Sequence, residues 1–181
     1  MALVVFLRGV NVGGYKTFKP SVLAKELAEL DVVNVGAAGT FVVRKPISQA
    51  KLRADLVQKL PFKTEIMICP GRDIINLVSS DPFVNEPFGA DIVRFVSVLA
   101  KRPRGLPSLP FSLPADDEWL LKIVEVRDRF LLGLYRRQMR VISLFSQMEK
   151  RLDVSPTTRN WNTINAIARI LEGSGAKRWR E

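Results

Sequence analysis

The side chains most suited to chemistry lie in two short segments near opposite ends of the chain. The first is Gly9-Val10-Asn11-Val12-Gly13-Gly14-Tyr15-Lys16-Thr17. Glycines let a backbone approach an anion closely and turn its N–H groups toward the charge. The segment nearly reads Gly-x-x-x-x-Gly-Lys-Thr, but Tyr15 separates Gly14 from Lys16 and moves the lysine out of register with a phosphate cradle. The dinucleotide pattern Gly-x-Gly-x-x-Gly is not met either. Two readings stay open: an anion contact and a structural β–α loop.

The second segment is Thr157-Thr158-Arg159-Asn160-Trp161. An arginine fork suits phosphate or carboxylate, and a tryptophan offers a stacking face. Asn160 is also a good cap for the helix expected to follow. The alternative is a core Trp161 and an Arg159 held in an ion pair. Two basic clusters, Arg136-Arg137 with Arg140 and Lys101-Arg102-Pro103-Arg104, each follow an expected strand. If those strand ends meet on one rim, that rim is positive.

Other chemistry is excluded by composition. The 181 residues include no histidine and one cysteine, Cys69. Ser-His-Asp and Cys-His catalysis are therefore absent, together with the commonest transition-metal ligand. Cys69 follows Met67 and Ile68 in an apolar run and is expected to be buried and inert. Asp116-Asp117-Glu118 reads as a solvated loop, without converging ligands from elsewhere. No metal, cofactor or catalytic residue is assigned. A single cysteine fits a reducing compartment, and a cytoplasmic location is expected.

The net charge is +10, and residues 1–80 and 81–181 each carry +5. A basic excess spread over both halves favours anionic partners such as nucleic acid or phosphorylated metabolites. It also serves solubility. No apolar run is long enough to span a bilayer, and no membrane partner is expected. The apolar start has no basic region ahead of it and leads into the glycine loop. It reads as a first strand, not a signal peptide.

The elements follow from periodicity. Residues 3–7 form a strand. Pro20 opens a helix with Val22, Leu23, Leu27 and Leu30 inward. Residues 32–35 and 40–44 are strands around Gly36-Ala37-Ala38-Gly39. Ser48 caps a helix to Leu60 with Leu52, Leu56, Val57 and Leu60 inward. Residues 63–69 give a fourth strand. This order, βαββαβ, is the ferredoxin-like one. Phe6, Phe41 and Phe62 lie in apolar surroundings and read as core more readily than as stacking platforms for RNA.

The second half resembles a worn copy of the first. Residues 72–79 form a linking helix and 91–101 a central strand. Residues 102–118 hold four prolines and are expected to be irregular. Two strands, 119–126 and 130–135, precede a helix over 141–152 with Ile142, Phe145, Met148 and Leu152 inward. A last helix spans 161–172. The fold class is α+β, with two tandem ferredoxin-like halves, the second degenerate. The expected division is a first lobe over 1–70, a linking helix and loop over 71–90, a second lobe with C-terminal helices over 91–172, and a basic flexible tail over 173–181.

Leu7-Arg8-Gly9-Val10-Asn11-Val12-Gly13-Gly14 resembles the opening Leu-Arg-Gly-Ile-Asn-Val-Gly-Gly of a mostly bacterial family catalogued as domain of unknown function 1697. Thr157-Thr158-Arg159-Asn160-Trp161-Asn162-Thr163 is similar to its closing Thr-Thr-Arg-Asn-Trp-x-Thr, and Asp81-Pro82-Phe83 to a weaker Asn-Pro-Phe. The resemblance implies two tandem ferredoxin-like halves and no particular reaction. Two places depart from the family pattern. Ala37-Ala38-Gly39-Thr40 stands where relatives read Gln-Ser-Gly-Asn, and Tyr135-Arg136-Arg137-Gln138 stands in place of a Gly-Arg-Ser-Lys-like patch.

The leading expectation is a binding module for an anionic ligand, a nucleic acid or a phosphorylated metabolite, in a basic cleft. Arg8, Asn11, Gly13, Gly14 and Lys16 would face Arg159, Asn160 and Trp161 across that cleft, with Arg136 as a further ligand-binding residue. A second reading is a small enzyme acting on a phosphorylated or carboxylated metabolite. In it Lys16 or Tyr15 is the acid–base group and Arg159 holds the substrate. A third is a protein-interaction scaffold. The oligomeric state is left open.

Overall fold

The computed structural model describes residues 1–115 and 118–173. Asp116, Asp117 and the basic tail lie outside the described residues, and the expectations of a solvated acidic loop and a flexible tail fall on them. Among the described residues the chain has a mixed α/β fold with two antiparallel sheets and five α-helices. It divides into two units, Met1–Ser80 with the chain from Asn162 onward, and Asp81–Trp161.

In the first unit, β1 (Leu3–Leu7), β2 (Val32–Asn34), β3 (Thr40–Val43) and β4 (Ile66–Pro70) form a sheet of order β2-β3-β1-β4. Every neighbouring pair is antiparallel. All five residues of β1 are apolar and buried, because the strand is paired on both edges and covered on both faces. Leu3, Val5 and Leu7 join the core of Leu23, Leu27, Phe41, Val43, Leu52, Leu56, Leu60 and Ile68. Alternation sends Val4 and Phe6 to the other face, where they are equally inaccessible.

Helix α1 (Pro20–Glu26) starts on proline, whose missing N–H is harmless there. It is shorter than the periodicity predicts, and a 3₁₀ turn over Ala28–Leu30 follows it. Leu23 and Leu27 are buried, while Val22 is exposed. Helix α2 (Gln49–Lys59) is capped by Ser48, whose Oγ accepts from the Lys51 N–H at 3.2 Å. Leu52, Leu56 and Leu60 face inward, but Val57 is 62% exposed. The inward stripe holds a four-residue spacing, which rotates Val57 off it. Helix α3 (Gly71–Ser79) buries Ile74 and Leu77.

The second unit holds β5 (Ile92–Val98), β6 (Phe111–Leu113), β7 (Leu121–Arg127), β8 (Phe130–Arg136), α4 (Val141–Leu152) and β9 (Thr157–Asn160). Its antiparallel sheet has the order β6-β7-β8-β5-β9. With β6 set aside, this order matches that of the first sheet, strand for strand. Two strands differ from the sequence expectation. Strand β6 lies inside the proline-rich connection, at a sheet edge where flanking Pro110 and Pro114 cost no ladder bond. Strand β9 covers the Thr-Thr-Arg-Asn segment, expected to be a loop capping a helix. β-Branched threonines suit an edge strand.

Helix α4 corrects another expectation. Val141, Leu144, Met148 and Leu152 are buried, and Ile142 is 65% exposed. The apolar stripe is rotated from the expected one, and Phe145 takes its edge against Phe95 and Tyr135. Gly133 in β8 makes this packing possible. A Cβ there would lie 2.5 Å from the Phe95 ring and 2.6 Å from the Lys122 carbonyl oxygen.

Helix α5 (Trp161–Leu171) leaves β9 without a break. It buries Ile164, Ile167 and Ala168, and a Leu171 methyl sits 2.7 Å from where a Gly71 Cβ would stand. From Asn162 on, this helix belongs to the first unit, although the sequence reading gave it to the second.

The phase of α4 is testable by chemical denaturation. Leu144→Ala is expected to cost about 2–5 kcal/mol. Ile142→Ser is expected to stay within about 0.5 kcal/mol of the parent. A larger cost at Ile142 than at Leu144 contradicts the assigned face.

Candidate anion-binding site

The glycine segment of the first unit is a small hairpin. The Tyr15 N–H donates to the Val12 carbonyl at 2.9 Å, and the Asn11 N–H donates to the Lys16 carbonyl at 3.2 Å. Gly13 and Gly14 occupy the two central turn positions with φ of 56° and 75°. Positive φ at both is the type I′ pattern, which glycine adopts without penalty. The turn thus accounts for both glycines. Neither amide is consumed by it, and both residues are exposed.

Asn11 fixes the base of this finger. Its Oδ1 accepts from the Phe18 N–H at 2.9 Å, and its Nδ2 donates to the Ala37 carbonyl at 2.8 Å. The second bond ties the finger to the Ala37-Ala38-Gly39-Thr40 segment. Gly39 is required there. Its φ is +72°, and a Cβ would stand 2.6 Å from Val10 and 2.9 Å from Leu7. Arg8, at the finger's entry, pairs with Glu65 at 3.3 Å on a partly exposed surface. Lys16 closes the finger with φ of 46°, a left-handed backbone that costs a lysine about 1–2 kcal/mol. Tyr15 stands 73% exposed at the tip.

Arg136, Arg159, Asn160 and Trp161 belong to the second unit. Arg136 bonds Asp91 Oδ2 at 2.6 Å, donates from Nε to the Trp119 carbonyl at 3.2 Å and stacks on the Trp119 ring at 4.7 Å. Its donors are largely spent on holding the start of β5 to the start of β7. Arg159 lies on β9 opposite Val96 and donates to the Thr158 carbonyl at 2.8 Å. Burial lowers its pKa from the usual arginine range to about 10, so it remains charged at neutral pH. Asn160 ends β9 opposite Phe95. Trp161 packs edge-to-face on the fully buried Phe83 at 5.1 Å. The Asp-Pro-Phe element and the closing motif therefore meet as packing partners.

The two basic clusters do not share a rim. Strands β5 and β8 are antiparallel with Ile92 opposite Arg136 and Val98 opposite Phe130. Lys101–Arg104 leaves the sheet at the Phe130 end, and Arg137–Arg140 at the Ile92 end. Sheet stacking of RNA bases on the first unit is also closed off, since Phe6 and Phe41 are buried and Phe62 packs against Phe18.

Sequence reasoning missed one arrangement. Arg94 lies between Phe83 at 5.7 Å and Phe88 at 5.6 Å, and Phe88 is 89% exposed. The Phe-x4-Phe spacing after Asp81 was its only sequence signal. An open depression of about 400 Å³ at the end of α4 is lined by Ser146, Glu149, Lys150, Asp153, Val154 and Ser155, and includes none of the expected site residues. Among the described residues, no three acidic or cysteine side chains converge to hold a metal, and no helix is long and apolar enough to cross a membrane.

The sequence pattern of the family described as protein of unknown function (DUF1697) matches residues 1–106. The chain belongs to this family. The match takes in the finger, the Gly39 segment and Asp81-Pro82-Phe83, but stops short of Arg159. No curated protein matches the chain. Its fold is similar to that of the conserved bacterial protein SP0830 from Streptococcus pneumoniae. That likeness has a TM-score of 0.59 and 18% identity over 94% of this chain and 98% of that one.

Two measurements check the site. Asn11→Ala is expected to lose about 1–3 kcal/mol and to speed hydrogen exchange at the Phe18 amide. Unchanged exchange there removes Asn11 from the base of the finger. For Arg159, both states are protonated below about pH 10. As pH rises above that value the folded state releases its proton first, which relieves the burial cost. The stability of the parent relative to Arg159→Met should therefore rise from pH 9 to pH 11. A flat difference contradicts the lowered pKa.

Proposed function

We propose that this protein is a binding module for a phosphate-bearing ligand, with the Asn11–Lys16 finger as its contact. The observation that carries this reading is Lys16, a lysine kept in a strained left-handed backbone beside two exposed, unengaged glycine amides. Asparagine or glycine at that position relieves the strain, so a lysine there is best explained by its charge. The amides and the ammonium supply hydrogen bonds and charge for a phosphate. The exposed ring of Tyr15 supplies a stacking face for a base or sugar. Ala37, whose carbonyl Asn11 holds, brings only a small side chain, which leaves recognition to the finger.

A tandem ferredoxin-like architecture is part of the same proposal, supported by the shared strand order of the two sheets. So is a cytoplasmic location, supported by the lone, buried Cys69. The scaffold reading finds support in the exposed Val84, Phe88 and Met139 of the second unit.

An NMR titration with inorganic phosphate and with a nucleoside monophosphate tests the finger. Amide shifts are expected at Gly13 and Gly14 with both. Tyr15→Ala should weaken the nucleotide about tenfold and leave phosphate unchanged. Lys16→Gly should raise stability by up to about 1 kcal/mol while weakening both ligands. Titrations that leave the Gly13 and Gly14 resonances unmoved end the proposal.

A further inference from the structure

The second unit carries a cationic surface that the finger does not involve. Strand β5 ends at Val98, and the chain must reach β6, which begins at the same end of the sheet at Phe111. On the way it passes the turn joining β7 to β8, residues 127–130. Arg129 clamps the two together. Its carbonyl accepts from the Leu99 N–H at 2.9 Å, and its Nε donates to the Leu99 carbonyl at 2.7 Å. Lys101, Arg102 and Arg104 follow directly and are exposed. No carboxylate among the described residues pairs with any of the three. Arg127, the last residue of β7, is bound to Glu125 at 2.6 Å. Helix α4 ends at this end too, and its Arg151 covers the Phe111 ring at 5.3 Å.

We propose that this end of the second sheet binds the phosphate backbone of nucleic acid without reading its bases. Three unpaired cations on a clamped loop present charge to a polymer that offers regularly spaced phosphates. The surface lacks what other partners need. Its exposed apolar content is a single leucine, Leu109, at 37%, whereas an anionic bilayer is gripped by apolar insertion as well as charge. The opposite end of the sheet, where Met139 and Ile142 are exposed beside Arg137 and Arg140, has that mixed character. The absence of an exposed aromatic ring on the described loop leaves no platform for bases. Affinity should therefore depend on phosphate and salt, not on sequence.

Fluorescence anisotropy of labelled 20-mer oligonucleotides, single- and double-stranded and of several sequences, tests this on the full chain between 50 and 200 mM salt. The variant Lys101→Gln/Arg102→Gln/Arg104→Gln is compared with Lys25→Gln/Arg137→Gln/Arg140→Gln, which removes the same charge elsewhere. Thermal melts of both confirm folding. The first variant is expected to lose about 100-fold or more in affinity, and its log–log salt slope should fall by about 2 to 3. The control should change by less than about threefold, and affinities should differ little among sequences. Equal losses in the two variants, a strong base preference, or binding to phosphatidylserine vesicles in place of oligonucleotides each overturn the proposal. The phosphate titration of the finger reads a different unit, so the two proposals fail separately.

Discussion

Strand β1 is the constraint on which the first unit is built. Five consecutive apolar residues leave no face for solvent, so the strand must be paired on both edges and covered on both sides. That requirement brings β3 and β4 to its flanks and packs α1 and α2 over one face. It also fixes where the finger emerges. Just past β1's buried end, the Leu7 N–H is held by the Gly39 carbonyl at 2.8 Å and the Arg8 N–H by the Glu65 carbonyl at 3.0 Å. The chain then leaves the sheet between two anchored neighbours, and Asn11 sets the direction it takes.

The second unit answers the same requirement differently. Strands β5 and β8 run side by side through the middle of its sheet, with Phe95 folded over Gly133 and the rings of Tyr135 and Phe145 closing around it. Helix α4 packs over one face, and the connection that holds α1 in the first unit here carries the edge strand β6. Polar groups are held inside this unit by local pairing. Ser97 and Thr158 share a hydrogen bond at 2.6 Å across β5 and β9, and Lys122 meets Glu86 at 2.8 Å. Among the described residues, the Oγ1 of Thr157 is buried with no hydrogen-bond partner.

Much of this fold is legible in the sequence, and the legible parts share a cause. Uninterrupted apolar runs such as Leu3–Leu7 and Phe130–Tyr135, and caps such as Ser48, are local signals that tertiary context does not overturn. Strands β6 and β9 escaped because their residues become a strand only by pairing with distant partners, Leu121–Ile123 and Phe95–Val98. The phase of α4 escaped for a related reason. Val141, Ile142, Leu144 and Phe145 offer two overlapping stripes, and only the sheet beneath chooses between them. Among the site residues, the glycines were visible as a turn or an anion loop without a way to decide. Arg136 looked like a ligand-binding side chain because Asp91 and Trp119, its partners, are far away in sequence. The ring pair around Arg94 left only the Phe83–Phe88 spacing as a signal, because nothing local says that a loop folds back over the strand that follows it.

The antiparallel ladder between β5 and β8 acts as a spacer. Six residue steps separate Ile92 from Val98 along the ladder, a span of about 20 Å at about 3.4 Å per residue. A metabolite bearing a single phosphate is far shorter than that. The arginines on the two ends therefore cannot cooperate on a small molecule, however basic the whole chain is. Each end must be understood as a separate electrostatic feature, and only something long enough to lie along the strands could feel both at once.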